Sequence, residues 1–211
     1  GGPEPVVDPR KVYEQYDQRV GSRTVRRPGL DAAVLRLTPS YRGLAVSLDG
    51  PPPGERDPFR AGALATIGAA RNVACAGGDP LALTDCLNFG NPEKAEIGWE
   101  LFEAIEGIAQ AAEALGIPVV SGNVSLYNET AGRAIPPTPV VGCVGLVPDV
   151  RLVPRGWRKG DVVLVEAGEL DPPAPAHGVA QVDLHMTAVR EHDFGAIDLD
   201  LPPHHVQVHL G

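Results

Sequence analysis

At 211 residues, 43% of them hydrophobic, the chain can build one large domain, or one complete domain and part of another. A formal net charge of −9, a pI near 5.1 and scattered Lys and Arg argue against a nucleic-acid-binding surface. No run reaches the roughly 18 apolar residues of a membrane span, so a soluble, acidic, cytoplasmic protein without membrane partners is the expectation.

The Pro-rich start, GGPEPVVDPRK, lacks an apolar core and reads as a tail, linker or cloning remnant over residues 1–11. Residues 12–18 (VYEQYDQ) suit a short amphipathic helix or turn. Strands are predicted over 32–37 (AAVLRL) and 44–48 (LAVSL), and three consecutive prolines make 50–56 a loop. Asp57-Pro58 opens a helix, with Asp as N-cap and Pro at its first position. Ala63, Ile67, Ala70 and Ala74 give that helix a narrow face of small residues, and Gly77-Gly78 ends it. An apolar run at 81–83 precedes Asn91-Pro92, which repeats the start signal. The second helix carries Ile97, Leu101, Ile105, Ile108, Ala112 and Leu115 and stops at Gly116. Strands at 117–120 and 139–146 follow.

The order β-β-α-β-α-β-β predicts an α+β domain over 12–148, a mixed sheet with both helices on one face. Residues 162–165 read as a strand opening a second domain that 149–211 leaves incomplete, ending in a Pro- and His-rich tail. Three cysteines without CxxC spacing predict buried free thiols, not disulfides. All six histidines lie at or beyond His177, with no cysteine among them. A loose tail is favoured there over a zinc site, and Cys86 has no local base to make it a nucleophile.

The most specific residues are LTDCLNFGNPEK and SGNVSLYNET. Each follows an apolar run with short polar residues and glycine, which offer oxygen ligands and exposed N–H groups, the materials of a metal–phosphate site. Asp85, Asn88, Gly90 and Asn91 sit before a helix start that suits a phosphate, although capping accounts for Asn91 equally well. Asn123 offers a neutral oxygen to Mg²⁺. Ser125 shares its face if the strand continues; a bulge at Gly122 with solvated side chains is the plainer alternative. Asp57 is read as a cap, and Asp49 as a weak candidate for a metal-side carboxylate.

These motifs, with DPFRAGALATIGAARNVACAGGDP before them and TPVVGCVGLV after, resemble the synthetase subunit of phosphoribosylformylglycinamidine synthase over residues 12–165. VYEQYDQRVGS resembles the opening of that subunit's second repeat. The resemblance implies the aminoimidazole ribonucleotide synthetase fold, whose sheet-and-helix domains pair into an eight-stranded barrel. It implies an ATP-dependent ligase of purine synthesis, in which ATP activates the amide of formylglycinamide ribonucleotide and glutamine-derived ammonia displaces phosphate. By that resemblance Asp85 and Gly122 match nucleotide contacts, Asn123 a magnesium ligand and Ser125 a substrate contact. The implied cofactors are ATP and Mg²⁺. The implied partners are a glutaminase and a small accessory subunit. The family's catalytic histidine, in an SHNHPS-type motif of the first repeat, has no counterpart here, so no catalytic residue is assigned. No LGGSEY-like segment follows residue 165. The expectation is an internal or truncated piece, inactive alone and pairing as a homodimer, with a non-catalytic nucleotide-binding or scaffolding module as the alternative.

Overall fold

A computed structural model describes residues 15, 17–156, 163–165 and 206–208. The chain divides into two units, Gly1–Val153 and Pro154–Gly211. In the second, β9 (Val163–Val165) pairs antiparallel with β10 (Val206–Val208). Apart from β10, the expected tail lies outside the described residues, as do all six histidines and most of the segment 12–18.

The first unit is built on a six-stranded sheet. Its strands are β1 (Thr24–Arg26), β2 (Ala33–Arg36), β3 (Gly43–Asp49), β4 (Asp79–Asn88), β5 (Val119–Ser125) and β8 (Thr138–Val147), in spatial order β1-β2-β3-β8-β4-β5. A small hairpin, β6 (Glu129–Thr130) with β7 (Arg133–Ala134), interrupts the path from β5 to β8. Only β4 and β5 pair in parallel; every other pairing in the large sheet is antiparallel. Parallel neighbours need a long crossover, which helix α2 (Ala95–Leu115) supplies. β8 lies between β3 and β4, and its near-continuous apolar sequence, TPVVGCVGLV, suits a central strand covered on its helix side.

Helix α1 (Pro58–Cys75) begins as expected: Asp57 accepts from the Arg60 N–H at 3.0 Å and Pro58 takes the first helical position. Its buried residues are Ala61, Gly62, Ala65, Thr66, Ala69 and Val73 among others, whereas Ala63, Ile67 and Ala74 are only half-buried. The small-residue face is thus real but rotated from the stripe read in sequence, because α1 must meet both the sheet and α2. A Cβ on Gly107 of α2 would overlap the Phe59 carbonyl, and one on Gly62 would overlap the Ala104 carbonyl. The helices therefore cross almost backbone to backbone. Those glycines, invisible to an apolar-periodicity count, decide which faces touch.

α2 starts three residues later than Asn91-Pro92 suggested, with Lys94 as its N-cap residue. Asn91 instead closes a turn, its Oδ1 accepting from the Glu93 N–H at 2.9 Å. Gly116 ends the helix in the left-handed region at φ 66°, as its position predicted. Ile105 of the expected stripe is 42% exposed. Sequence reading also missed β1 and the β6–β7 hairpin, both too short for periodicity to register. Beyond β8, Val150 and Val153 return to the core, with Val150 lying over Gly43.

Along β3 and β8 the residues facing the helices are buried: Ala45, Ser47, Val141 and Cys143. Ser47 donates to the Ala69 carbonyl at 2.7 Å, which satisfies its hydroxyl. Of the cysteines, only Cys143 is buried; Cys75 and Cys86 are half-buried. Desolvation pushes the Cys143 thiol up to about 11. Cys143 is therefore expected to resist a disulfide reagent at pH 8 in the native chain and to react on unfolding. Thiol titration with and without denaturant measures this, and rapid native labelling of Cys143 would contradict it.

Candidate functional site

The four residues singled out as nucleotide, metal and substrate contacts lie on one parallel strand pair. In the β4–β5 register Asp85 faces Gly122, Cys86 faces Asn123 and Asn88 faces Ser125. β4 extends through Asn88 and β5 through Ser125, so these residues are within strands and not in the loops beyond them. The register shift lies at Leu83/Thr84 and not at Gly122, which removes the bulge alternative at that glycine. With the strand continuing, Asn123 and Ser125 do share a face.

Alternation splits the set between two faces. Asp85 lies between Leu83 and Leu87, both buried on the helix side, and Gly122 is its neighbour there. Asn123 and Ser125 take the opposite face with Cys86. β5 is the last strand of the sheet, and Val119, Val120 and Val124 are each 42–65% exposed. A ligand can therefore reach both faces only around this open edge.

Gly122 makes room for the carboxylate: a Cβ there would stand 2.6 Å from Asp85 Oδ1 and 2.8 Å from Oδ2. Burial raises the Asp85 pKa, and the backbone N–H of Asn123 partly offsets this by donating to the carboxylate. Asn123 Nδ2 lies 3.7 Å from Cys86 Sγ, which leaves its carbonyl oxygen as the group suited to a hard cation. Among the described residues no three His, Cys, Asp or Glu gather around one point. A magnesium ion here would take most of its ligands from water or phosphate, which is how Mg²⁺ is commonly held.

The other candidates have structural duties. Asn88 Nδ2 donates to the Cys86 carbonyl at 3.0 Å and the Thr138 carbonyl at 3.3 Å, tying β4 to β8. Gly90 leaves room for Ala134 and Ile97 rather than for a ligand, since a Cβ would come within 2.6 and 2.9 Å of them. Asp49 accepts from the Gly50 N–H and from Asn72 and lies over Gly68 of α1; it shares the cross-strand row of Asp85, since both pair with Val141 of the intervening strand β8. Two features escaped the sequence reading: Tyr127, held at φ 60°, and Asn128, whose side chain bonds back to both strand ends. Asn128 immediately precedes the β6–β7 hairpin, and its place in the loop after SGNVS was the signal in the sequence.

Residues 29–147 match the family model of the AIR synthase related protein, N-terminal domain. The chain belongs to that family. Phosphoribosylformylglycinamidine synthase subunit PurL of Moorella thermoacetica is 51% identical over 165 residues, 76% of this chain and 22% of that protein. PurL of Thermomicrobium roseum is 52% identical over 168 residues, 78% of this chain and 23% of that protein. The chain thus spans about a fifth of the length of the curated relatives it matches. PurLQS from Thermotoga maritima is a structural neighbour with TM-score 0.65 and 33% identity, covering 78% of this chain and 28% of that one. The same organism's PurL has been solved with ATP (TM-score 0.62, 32% identity, 75% and 26% coverage). It has also been solved with FGAR (TM-score 0.57, 33% identity, 75% and 26% coverage). A PurL-like α+β fold, a mixed sheet with two helices, is what these similarities and the architecture have in common.

Proposed function

We propose that this chain is part of an ATP-dependent C–N ligase that makes formylglycinamidine ribonucleotide from formylglycinamide ribonucleotide, ATP and glutamine-derived ammonia. It carries part of the nucleotide and magnesium site. The observation that carries this reading is the register that sets Asp85 against Gly122, and Asn123 and Ser125 beside them, on one strand pair. The ATP and FGAR complexes of the T. maritima relative support the ligand classes, and its PurLQS structure supports assembly with further subunits, here a glutaminase and a small accessory subunit. In this reading Asp85 and Gly122 contact nucleotide, Asn123 holds Mg²⁺ and Ser125 meets the substrate, in the cytoplasm. No residue before His177 is a histidine. That favours a second reading, a nucleotide-binding or scaffolding module without turnover of its own. Complementation of a purine auxotroph by this chain, alone and with the repeat that bears the family's histidine motif, separates the two.

Asn123→Ala is expected to weaken nucleotide binding in magnesium and to leave metal-free binding unchanged, because a neutral amide acts through the cation. Asp85→Ala should weaken both. Calorimetry on the three proteins measures this, and equal losses with and without magnesium would remove Asn123 from the metal shell. Because burial raises the Asp85 pKa, the sign follows. Its ionised form is disfavoured in the fold, so the chain gains stability as pH falls through that raised value, while any binding that needs its charge is lost over the same interval.

A further inference from the structure

We propose that Asn128 is a positioning residue that fixes the Ser125 hydroxyl and makes it a hydrogen-bond acceptor toward the ligand. The inference rests on the reading of Ser125 as a substrate contact. Asn128 lies just beyond β5, where the chain turns back across the end of β4. Its side-chain Nδ2 donates to the Ser125 carbonyl at 2.8 Å and to the Phe89 carbonyl at 3.0 Å. Its backbone N–H also reaches the Phe89 carbonyl, at 3.2 Å, and the Phe89 N–H donates to the Ser125 carbonyl at 3.0 Å. One carboxamide therefore fastens the ends of the two strands that carry the candidate site.

Both backbone carbonyls are acceptors, so the carboxamide must turn its nitrogen and not its oxygen toward them, and this fixes which way it points. Nδ2 has two protons, and those carbonyls take them. The Ser125 hydroxyl lies 3.1 Å from Nδ2 and 3.3 Å from Oδ1. With the Nδ2 protons engaged, the arrangement that satisfies every group has Ser125 Oγ donating to Asn128 Oδ1. The hydroxyl then has only lone pairs left to offer. A ligand at Ser125 must present a donor, an amide N–H or a sugar O–H; a phosphate or carboxylate oxygen finds no proton there. Asn128 would thus choose which end of a phosphorylated amide sugar lies at Ser125.

The test uses the full chain in wild-type form and as Asn128→Asp, Asn128→Ala, Ser125→Ala and the double variant Ser125→Ala/Asn128→Ala. Three-bond couplings across Cα–Cβ of Ser125, measured without ligand, should report one rotamer in the wild type and averaging in Asn128→Ala. A single unchanged rotamer in Asn128→Ala, with the melt preserved, overturns the positioning role. Calorimetry with formylglycinamide ribonucleotide should show about a three- to tenfold loss for Ser125→Ala and for Asn128→Ala. The double variant should lose no more than either, and MgADP affinity should be unchanged throughout. Additive losses, or parallel losses for MgADP, mean that Asn128 acts only on the fold and overturn the proposal. Asn128→Asp keeps an acceptor oxygen but sets a second one against the Phe89 and Ser125 carbonyls in place of the donor; it should release the Ser125 rotamer as Asn128→Ala does, and a retained single rotamer in both variants with the melt preserved overturns the positioning role. Unchanged substrate affinity in Ser125→Ala, or none in the wild type, overturns the substrate reading of Ser125, while the couplings still decide the role of Asn128.

Discussion

Gly122→Ala is expected to lower nucleotide affinity about tenfold or more while moving the melting midpoint by only a few degrees. An added methyl would stand 2.6 Å from Asp85 Oδ1, closer than non-bonded atoms approach, so one of the two must give way. Gly122 has no positive φ, and its backbone accepts alanine without strain. The carboxylate is the softer party and rotates off the strand pair. It loses its bond from the Asn123 N–H, a cost of about 1 kcal/mol, or roughly 2–4 °C for a chain of this size. The displaced carboxylate no longer stands where the nucleotide would meet it, so binding falls much further than stability. Calorimetry with MgADP and a thermal melt measure the two effects. In the Asp85→Ala background the added methyl has nothing to displace, so the second substitution should cost no further affinity. An unchanged affinity in Gly122→Ala would take Asp85 out of the nucleotide site.

What was legible in the sequence was whatever depends on neighbours along the chain. Asp57-Pro58 opened α1, Gly116 closed α2, and the LTDC and SGNVS motifs fell on the two parallel strands that hold the candidate site. What escaped depends on neighbours across the fold. The backbone contact of Gly62 and Gly107 with the facing helix rotates α1 from its apparent stripe, and no local pattern reports it. Asn91-Pro92 carries a helix-start signal that is genuine chemistry used for a different end, a turn stabilised by the same side-chain oxygen. The division of Asp85 and Asn123 between sheet faces needed the β4 and β5 strand limits, each several residues longer than the apolar runs suggested. The apolar runs stop early because both strands turn polar at the point where they reach the candidate site.

The chain is expected to associate as a homodimer through the sheet face that the helices leave bare. Pleating sends Leu35, Leu44, Val46 and Leu48 to that side, beside Val144 and Leu146 of β8. Leu48 is 71% exposed and Leu35 37%. These residues are contiguous across three hydrogen-bonded strands, which makes a patch on the order of several hundred Å². Burial at about 25 cal/mol per Å² favours pairing strongly. The same patch on a second copy, related by a two-fold axis, gives a closed and self-complementary interface. Light scattering across a dilution series should show a dimer at micromolar concentration. Leu48→Lys should shift it to monomer by tenfold or more in dissociation constant, because the substitution puts two like charges into an apolar seam. It should do so with little change in the monomer's own stability, since that side chain contributes almost nothing to the core. Removing the chain after Val153 should leave the dimer intact, whereas removal after Asp149 would strip Val150 and Val153 from the core. A monomer at micromolar concentration with a cooperative melt would overturn the pairing. A dimer indifferent to Leu48→Lys would move the interface to the open edge at β5.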